Sequence, residues 1–214
     1  MQKYQVIILI PCFNEEKTII NICKKAKNFG TVLVINDNST DKTKILLKEK
    51  KINFISNKKN LGYEKSLIKG FNYIFKNFKK AKYILTIDAD GELPVKNIPV
   101  ILKKIKNKNL DLLIGRRSKL NRISEILLDF VFKIKFGLKD PISGFKLYKI
   151  KPLKRIINQL SEKMFLVDVP VIYYKLERIM SNINIITKKR SDKPRVGNSL
   201  SSNFKILKIV YKIL

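Results

Sequence analysis

Ile84–Pro94 reads ILTIDADGELP. Ile84 to Ile87 form a short apolar, β-branched run of the kind that makes a buried strand. The run stops at two carboxylates one residue apart, Asp88 and Asp90, and Glu92 follows. Side chains alternate along an extended chain, so Asp88 and Asp90 point the same way where the extension persists. Three carboxylates within five residues repel one another unless a cation lies among them. Oxygen-only ligands suit a hard ion such as Mg2+ or Mn2+, which keeps waters and takes one or two carboxylates plus substrate phosphates. In an acid-rich chain the same stretch would read as a solvated turn. Here acids are scarce: 17 Asp and Glu stand against 46 Lys and Arg in 214 residues, for a net charge of +29.

Working outward, the chain alternates strand and helix. Tyr4–Ile10 (YQVIILI) is a continuous apolar run ended by Pro11, and a helix is expected from Asn14 to about Asn28, closed by Gly30. Thr31–Ile35 is a second buried strand. It runs into Asn36–Asp41 (NDNSTD), a turn cluster that caps a helix to about Lys51. A short strand at Asn53–Ser56, the turn Asn60-Leu61-Gly62 and a helix over Tyr63–Phe78 lead to the opening strand. This pattern predicts an α/β fold, a mostly parallel central sheet with helices on both faces. Ligands of such sheets bind at the carboxyl ends of the strands. Pro11–Glu15, Asn36–Asp41 and Asp88–Glu92 therefore meet on one rim. No GxGxxG follows the first strand and no Walker A sequence occurs, which sets aside the common dinucleotide and P-loop readings.

Downstream, Ile98–Ile105 reads as a helix and Leu110–Ile114 as a strand ending in Gly115-Arg116-Arg117. Asn121–Phe136 is amphipathic, with Ile123, Ile126, Leu127, Phe130, Val131 and Ile134 near one stripe. The loop Asp140–Phe145 precedes a strand Lys146–Ile150, helices at Pro152–Gln159 and Pro170–Met180, and a strand Ile183–Thr187. One domain over residues 1–200 and a basic amphipathic tail over 201–214 are expected.

Composition narrows the chemistry. Without histidine, Ser-His-Asp and Cys-His catalysis are excluded, and any general base is a carboxylate, Lys or Tyr. Two cysteines, Cys12 and Cys23, are too few for a disulfide framework or a Cys/His zinc site. The positive charge is spread along the chain and carried mostly by Lys, as AT-rich codons alone produce. It permits anionic partners without singling one out, and no nucleic-acid-binding signature accompanies it. No long apolar leader opens the chain and no run approaches the ~20 apolar residues of a membrane span. The expected location is the cytoplasm, at the face of a membrane.

The succession IPCFNEE, VINDNSTD, NLGYEKSLIKGF, TIDADGELP, IGRR and DPISGFKLYK resembles family 2 glycosyltransferases. It is most similar to the dolichol-phosphate mannose synthase and polyprenyl-phosphate glycosyltransferase branch, over about residues 4–200. The resemblance implies a GT-A nucleotide-sugar fold and a hexose, mannose in the named branch, carried by GDP or UDP. It implies nucleotide contacts at Pro11, Phe13, Glu15 and Asp88, with Asp37 bonded to the base. Asp88 and Asp90 match the family's DxD, and Glu92 falls where the mannose synthases carry a further residue of the Mg2+ or Mn2+ site. A divalent cation held there stabilises the charge developing on the leaving diphosphate. These carboxylates thus activate a leaving group and are not the proton acceptor.

The missing histidine gains meaning from this likeness. Transfer to a hydroxyl needs a base, whereas a polyprenyl phosphate oxygen is already anionic and needs cationic positioning, for which the Arg fork is suited. By similarity, Arg117 is catalytic and binds the acceptor phosphate together with Arg122, Ser143 and Arg195. The sequence departs from the family at Leu200, which replaces a Lys, and at Pro170, which replaces a Glu and leaves Asp168 as the nearest acid. Two other functions compete: transfer to a saccharide hydroxyl, and a non-catalytic anion- or membrane-binding module. The two basic amphipathic segments add a membrane surface, or a membrane-anchored partner subunit, to the expected partners.

Overall fold

The computed structural model describes residues 5–92, 95–120, 122–187 and 200–213. Its strands are β1 (Val6–Cys12), β2 (Thr31–Asn36), β3 (Phe54–Ser56), β4 (Tyr83–Thr86), β5 (Leu112–Arg117), β6 (Lys146–Lys149) and β7 (Met180–Ile185). They form one sheet in the order β3-β2-β1-β4-β6-β5-β7. Only β6 runs antiparallel to its neighbours. The helices are α1 (Ile19–Ala26), α2 (Thr43–Glu49), α3 (Tyr63–Asn77), α4 (Ile98–Asn107), α5 (Ile123–Phe136), α6 (Ile150–Ile156), α7 (Phe165–Lys175) and α8 (Leu200–Ile213).

The period-2 alternation of the strands divides the core in two. Ile7, Leu9, Leu33, Ile35 and Ile84 face α3 and α5–α8. Val6, Ile8, Ile10, Val34 and Leu85 face α1, α2 and α4. Both faces are covered, which is why β1 reads as an unbroken apolar run. The strand order reverses at β1: the chain leaves it toward β2 and β3 on one side, and β4 lies on the other. In sheets of this kind such a reversal leaves a crevice beyond the carboxyl ends of the two strands, here β1 and β4, where ligands bind.

Several boundaries differ from the sequence expectation. Pro11 does not end β1, since the strand continues to Cys12 with Pro11 opposite Ile35. Pairing with β4 stops at Leu9, whose carbonyl accepts Ile87 N–H at 3.2 Å. The N–H that proline lacks would have faced that vacant side, so no ladder bond is lost. The helix α1 starts at Ile19, because Asn14 takes a positive φ of 55° and the chain turns before it can wind. Gly30 lies beyond the helix end and serves a close approach to β1, as a Cβ there would stand 2.6 Å from the Val6 carbonyl oxygen. The strand β5 runs on through Arg116 and Arg117. β7 ends at Ile185, starting three residues earlier than expected, and α7 starts at Phe165 with Pro170 inside it.

The amphipathic stripe of α5 faces outward. Ile123 is 86%, Phe130 59% and Ile134 68% exposed, whereas Glu125, Leu128, Val131 and Phe132 are buried. The expected tail forms α8, which packs along α5 and buries Ile206 and Val210 in the core. Ser124 Oγ donates to Asn203 Oδ1 across this contact at 2.6 Å. No helix among the described residues is long and apolar enough to cross a membrane.

Gly30→Ala forces a methyl group against a backbone carbonyl at the sheet's centre. Urea unfolding is expected to show a loss of about 1–3 kcal/mol, the usual range for overpacking. An unchanged midpoint would mean that β1 and the turn after α1 do not approach as described.

Candidate active site

The rim beyond β1, β2 and β4 is built from loops that hold one another. Asn14 N–H donates to Ser39 Oγ at 2.9 Å, and Asn14 Oδ1 accepts Thr40 N–H at 2.8 Å, joining the loop after β1 to the loop after β2. Glu15 is buried, its own N–H bonded to Thr43 Oγ1 at 2.9 Å. Thr18 Oγ1 donates to the carbonyl of Ala89 at 2.6 Å and so ties the first loop to the acidic stretch after β4. Pro11 is buried in β1 and Phe13 is exposed at the rim.

Asp37 is buried, and its carboxylate is directed into the protein. Oδ1 accepts Asn57 Nδ2 at 2.7 Å and Leu61 N–H at 2.8 Å, and Oδ2 accepts Gly62 N–H at 2.8 Å. Asp37 therefore sets the turn that starts α3, where Gly62 needs a φ of 88° that only glycine adopts without strain. The next residue, Tyr63, donates its hydroxyl to Asp88 Oδ1 at 2.7 Å. On the other side of Asp88 lies Gly144, where a Cβ would stand 2.2 Å from Asp88 Oδ1. The Asp88 carboxylate is thus seated between a phenol and a bare backbone. Thr86 Oγ1 fixes that backbone by donating to the Gly144 carbonyl at 2.7 Å.

Burial and the neighbouring Asp90 charge, with Glu92 adding to them, push the Asp88 carboxyl up to about 7, against the Tyr63 hydrogen bond and Arg117. Asp90 Oδ1 accepts Glu92 N–H at 3.0 Å, shaping the turn at Gly91. Among the described residues no group of three His, Cys, Asp or Glu side chains is arranged to hold a metal ion by itself. The donor chemistry fits a hard divalent cation held by one or two carboxylates and completed by phosphate oxygens. A buried carboxyl crowded by two like charges and raised above its ordinary range is an electrostatic pattern that functional sites share.

Arg117, at the end of β5, lies near enough to Asp88 to lower its pKa. Its Nε and Nη2 bond both oxygens of Asp140 at 2.9 Å, and Nη2 reaches Glu125 at 3.5 Å. Burial opposes the charge of Arg117, but Asp140 and Glu125 more than offset it and hold the guanidinium above its ordinary value. Nη1 makes no bond among the described residues. Arg122 pairs with Glu125 Oε1 at 2.9 Å. Ser143 is fully buried, its Oγ accepting Phe145 N–H at 3.3 Å. Arg195 lies outside the described residues. The structure thus gathers Asp88, Asp90, Glu92 and Arg117, links Glu15 and Asp37 to them through loops, and turns Ser143 inward. Sequence reasoning missed Tyr63, Asp140, Glu125 and Gly144. Three of them belong to stretches quoted above, but no local pattern shows which partner each meets.

Residues 7–124 match the family model described as Glycosyl transferase family 2. An uncharacterized protein of Methanocaldococcus jannaschii is 36% identical over 119 residues, 52% of each chain, so this chain matches about half the length of that relative. The UDP-N-acetylglucosamine–dolichyl-phosphate N-acetylglucosaminyltransferase of Methanococcus voltae is 23% identical over 75% of each chain. A glucosyl-3-phosphoglycerate synthase from Mycobacterium tuberculosis, solved with Mn2+, UDP-glucose and phosphoglyceric acid, superposes with a TM-score of 0.73. It covers 98% of this chain and 79% of its own at 14% identity, and it shows a shared GT-A fold.

The raised Asp88 carboxyl gives a pH signature. Its folded value lies above its unfolded one, so its contribution to stability is complete below the unfolded value of 3.8 and is lost as pH rises through about 7. A cation bound at Asp88 would take the proton's place. Thermal melts across a Mn2+ titration are expected to show an apparent affinity ~30-fold weaker at about pH 5.5 than at about pH 8, for one displaced proton. Equal affinity at both would place the cation away from Asp88.

Proposed function

From the premise that this chain belongs to glycosyltransferase family 2, we propose that it transfers a hexose, with inversion, from a GDP- or UDP-sugar to a polyprenyl phosphate. The observation that carries this proposal is the opposition of charges across one crevice: the Asp88–Asp90–Glu92 cluster on one side and Arg117 on the other. Asp88 and Asp90 would hold Mg2+ or Mn2+, with Glu92 beside them, and the bound cation supplies positive charge to the diphosphate as it departs. Glu15, Phe13 and the Asp37 turn line the nucleotide side. The bond from the anomeric carbon to the diphosphate oxygen breaks, its electron pair leaving with the nucleotide. A phosphate oxygen of the acceptor forms the new bond from the opposite face.

That acceptor brings its own anionic oxygen, which suits a chain without histidine. Arg117 is preorganised for it. Asp140 fixes the guanidinium plane, and Nη1 has no bond among the described residues. The Methanococcus voltae relative, whose name specifies dolichyl phosphate, supports an acceptor of this class.

A lipid acceptor also accounts for the surface beside Arg117. Glu125 on the inner side of α5 meets Arg117 and Arg122, while Ile123, Ile126, Phe130 and Ile134 on the outer side face solvent. On α8, Phe204 and Tyr211 extend the apolar strip, and exposed Lys133, Lys135, Lys205, Lys208 and Lys212 flank it. A chain of net charge +29 opposes docking a copy of itself there, whereas an anionic bilayer complements the strip in both respects. The protein would lie on the cytoplasmic face with the crevice at the lipid headgroups.

Two measurements test these proposals. Purified protein with Mn2+, GDP- or UDP-hexoses and a polyprenyl phosphate should yield a mild-acid-labile glycolipid, and Asp90→Ala should lower the rate at least ~100-fold. Label recovered only on a saccharide would overturn the acceptor. Separately, replacing Ile123, Phe130 and Tyr211 by Glu should weaken sedimentation with phosphatidylserine vesicles at least ~10-fold. Unchanged sedimentation would remove the α5–α8 face from the proposal.

A further inference from the structure

Lys146 is fully enclosed, and nothing in the proposed transfer uses it. It opens β6, and its Nζ donates to two backbone carbonyls, Pro141 O at 2.5 Å and Leu166 O at 2.8 Å. Leu166 lies in the first turn of α7. The amide that would ordinarily bond back to its carbonyl, four residues on, belongs to Pro170, which has none. A buried carbonyl without a donor is costly, and Lys146 Nζ supplies the missing one. Proline within α7 and lysine within the core are thus complementary parts of one contact. Glu64 completes it from α3, its carboxylate accepting the N–H groups of Phe165 and Leu166 at 3.2 and 3.4 Å.

The second acceptor of Lys146 belongs to the loop Asp140–Gly144. One end of that loop carries Asp140, which fixes Arg117, and the other end carries Gly144, which lies against the Asp88 carboxylate. The loop therefore reaches both Arg117 and Asp88, and the carbonyl of Pro141, next to Asp140, is bonded from inside the molecule. We propose that Lys146 is a positioning residue that uses the carbonyl left open by Pro170 as an anchor to set the Asp140–Gly144 loop, and through it the alignment of Arg117 with Asp88. Its role in turnover rests on the proposed transfer, whereas its role in holding the loop does not.

The two carbonyls allow the structural and positioning roles to be separated. Pro170→Ala returns an amide to Leu166 O but offers nothing to Pro141 O. Lys146→Met removes both donors, and the double variant restores only the helix. Lys146→Met is expected to lower the melting temperature, and the K146M/P170A protein to recover most of that loss. Hydrogen exchange at the Ser143 and Phe145 amides should quicken about tenfold or more in K146M, for an opening made easier by an unpaired carbonyl. It should stay fast in the double variant and unchanged in P170A. Transfer assays, if active in wild type, should show the rate constant and the acceptor KM impaired in K146M and still impaired in the double variant. Should K146M alone not fold, the double variant carries the same loop comparison. Loop exchange unchanged in K146M or the double variant, or loop exchange and turnover recovering together with stability, would overturn the proposal. Absence of transfer in every form, with loop exchange changed as described, would instead count against the proposed reaction.

Discussion

The site depends on one seat, the Asp88 carboxylate held between the Tyr63 hydroxyl and the backbone of Gly144. Each side of that seat is supplied by a different part of the fold. Tyr63 is aimed by the turn that Asp37 holds from the end of β2. Gly144 is held from β4 by Thr86. The strand order places all of these at the reversal beside β1. A side chain at residue 144 would occupy the space of the carboxylate itself, so glycine there follows from packing and not from a need for unusual backbone angles.

Charge is distributed with a consistent logic. In a chain so rich in lysine, the few acids do local work: Asp37 and Asp41 shape turns, Asp140 and Glu125 fix Arg117, and Glu64 caps α7. In the stretch after β4, Asp90 and Glu92 lie close enough to Asp88 to raise its carboxyl together with burial. Arg117 shows the opposite arrangement, a half-buried cation paired with two carboxylates. Those carboxylates fix its geometry in the absence of any ligand, and for the proposed acceptor that pairing would act as preorganisation.

Much of this was legible in the sequence. The apolar runs and their polar ends located the strands and the rim, because alternation and strand-end chemistry are local signals. The rest depended on long-range partners. Pro11 and Pro170 read as breakers, yet Pro11 faces a side of β1 with no pairing left, and Pro170 has its lost bond replaced by Lys146, two elements away. The stripe on α5 was visible from its spacing, but not that it faces outward, since periodicity gives a face and not its direction. Asp37 was visible as an important acid. Its use, holding a turn twenty-four residues on, was not, and Tyr63 carried no signal beyond its presence in a motif.

The central claim is that the crevice binds a nucleoside diphosphate through a cation seated at Asp88. Calorimetric titration of UDP and of GDP, each with Mn2+ and with EDTA, tests it most directly in wild type and in Gly144→Ala. The expected result is that at least one nucleotide binds wild type with Mn2+ and loses about tenfold or more of its affinity in EDTA. In Gly144→Ala the Mn2+-dependent gain should disappear while the fold is retained. Equal affinity with Mn2+ and EDTA, or a full Mn2+ gain in Gly144→Ala, would contradict the claim.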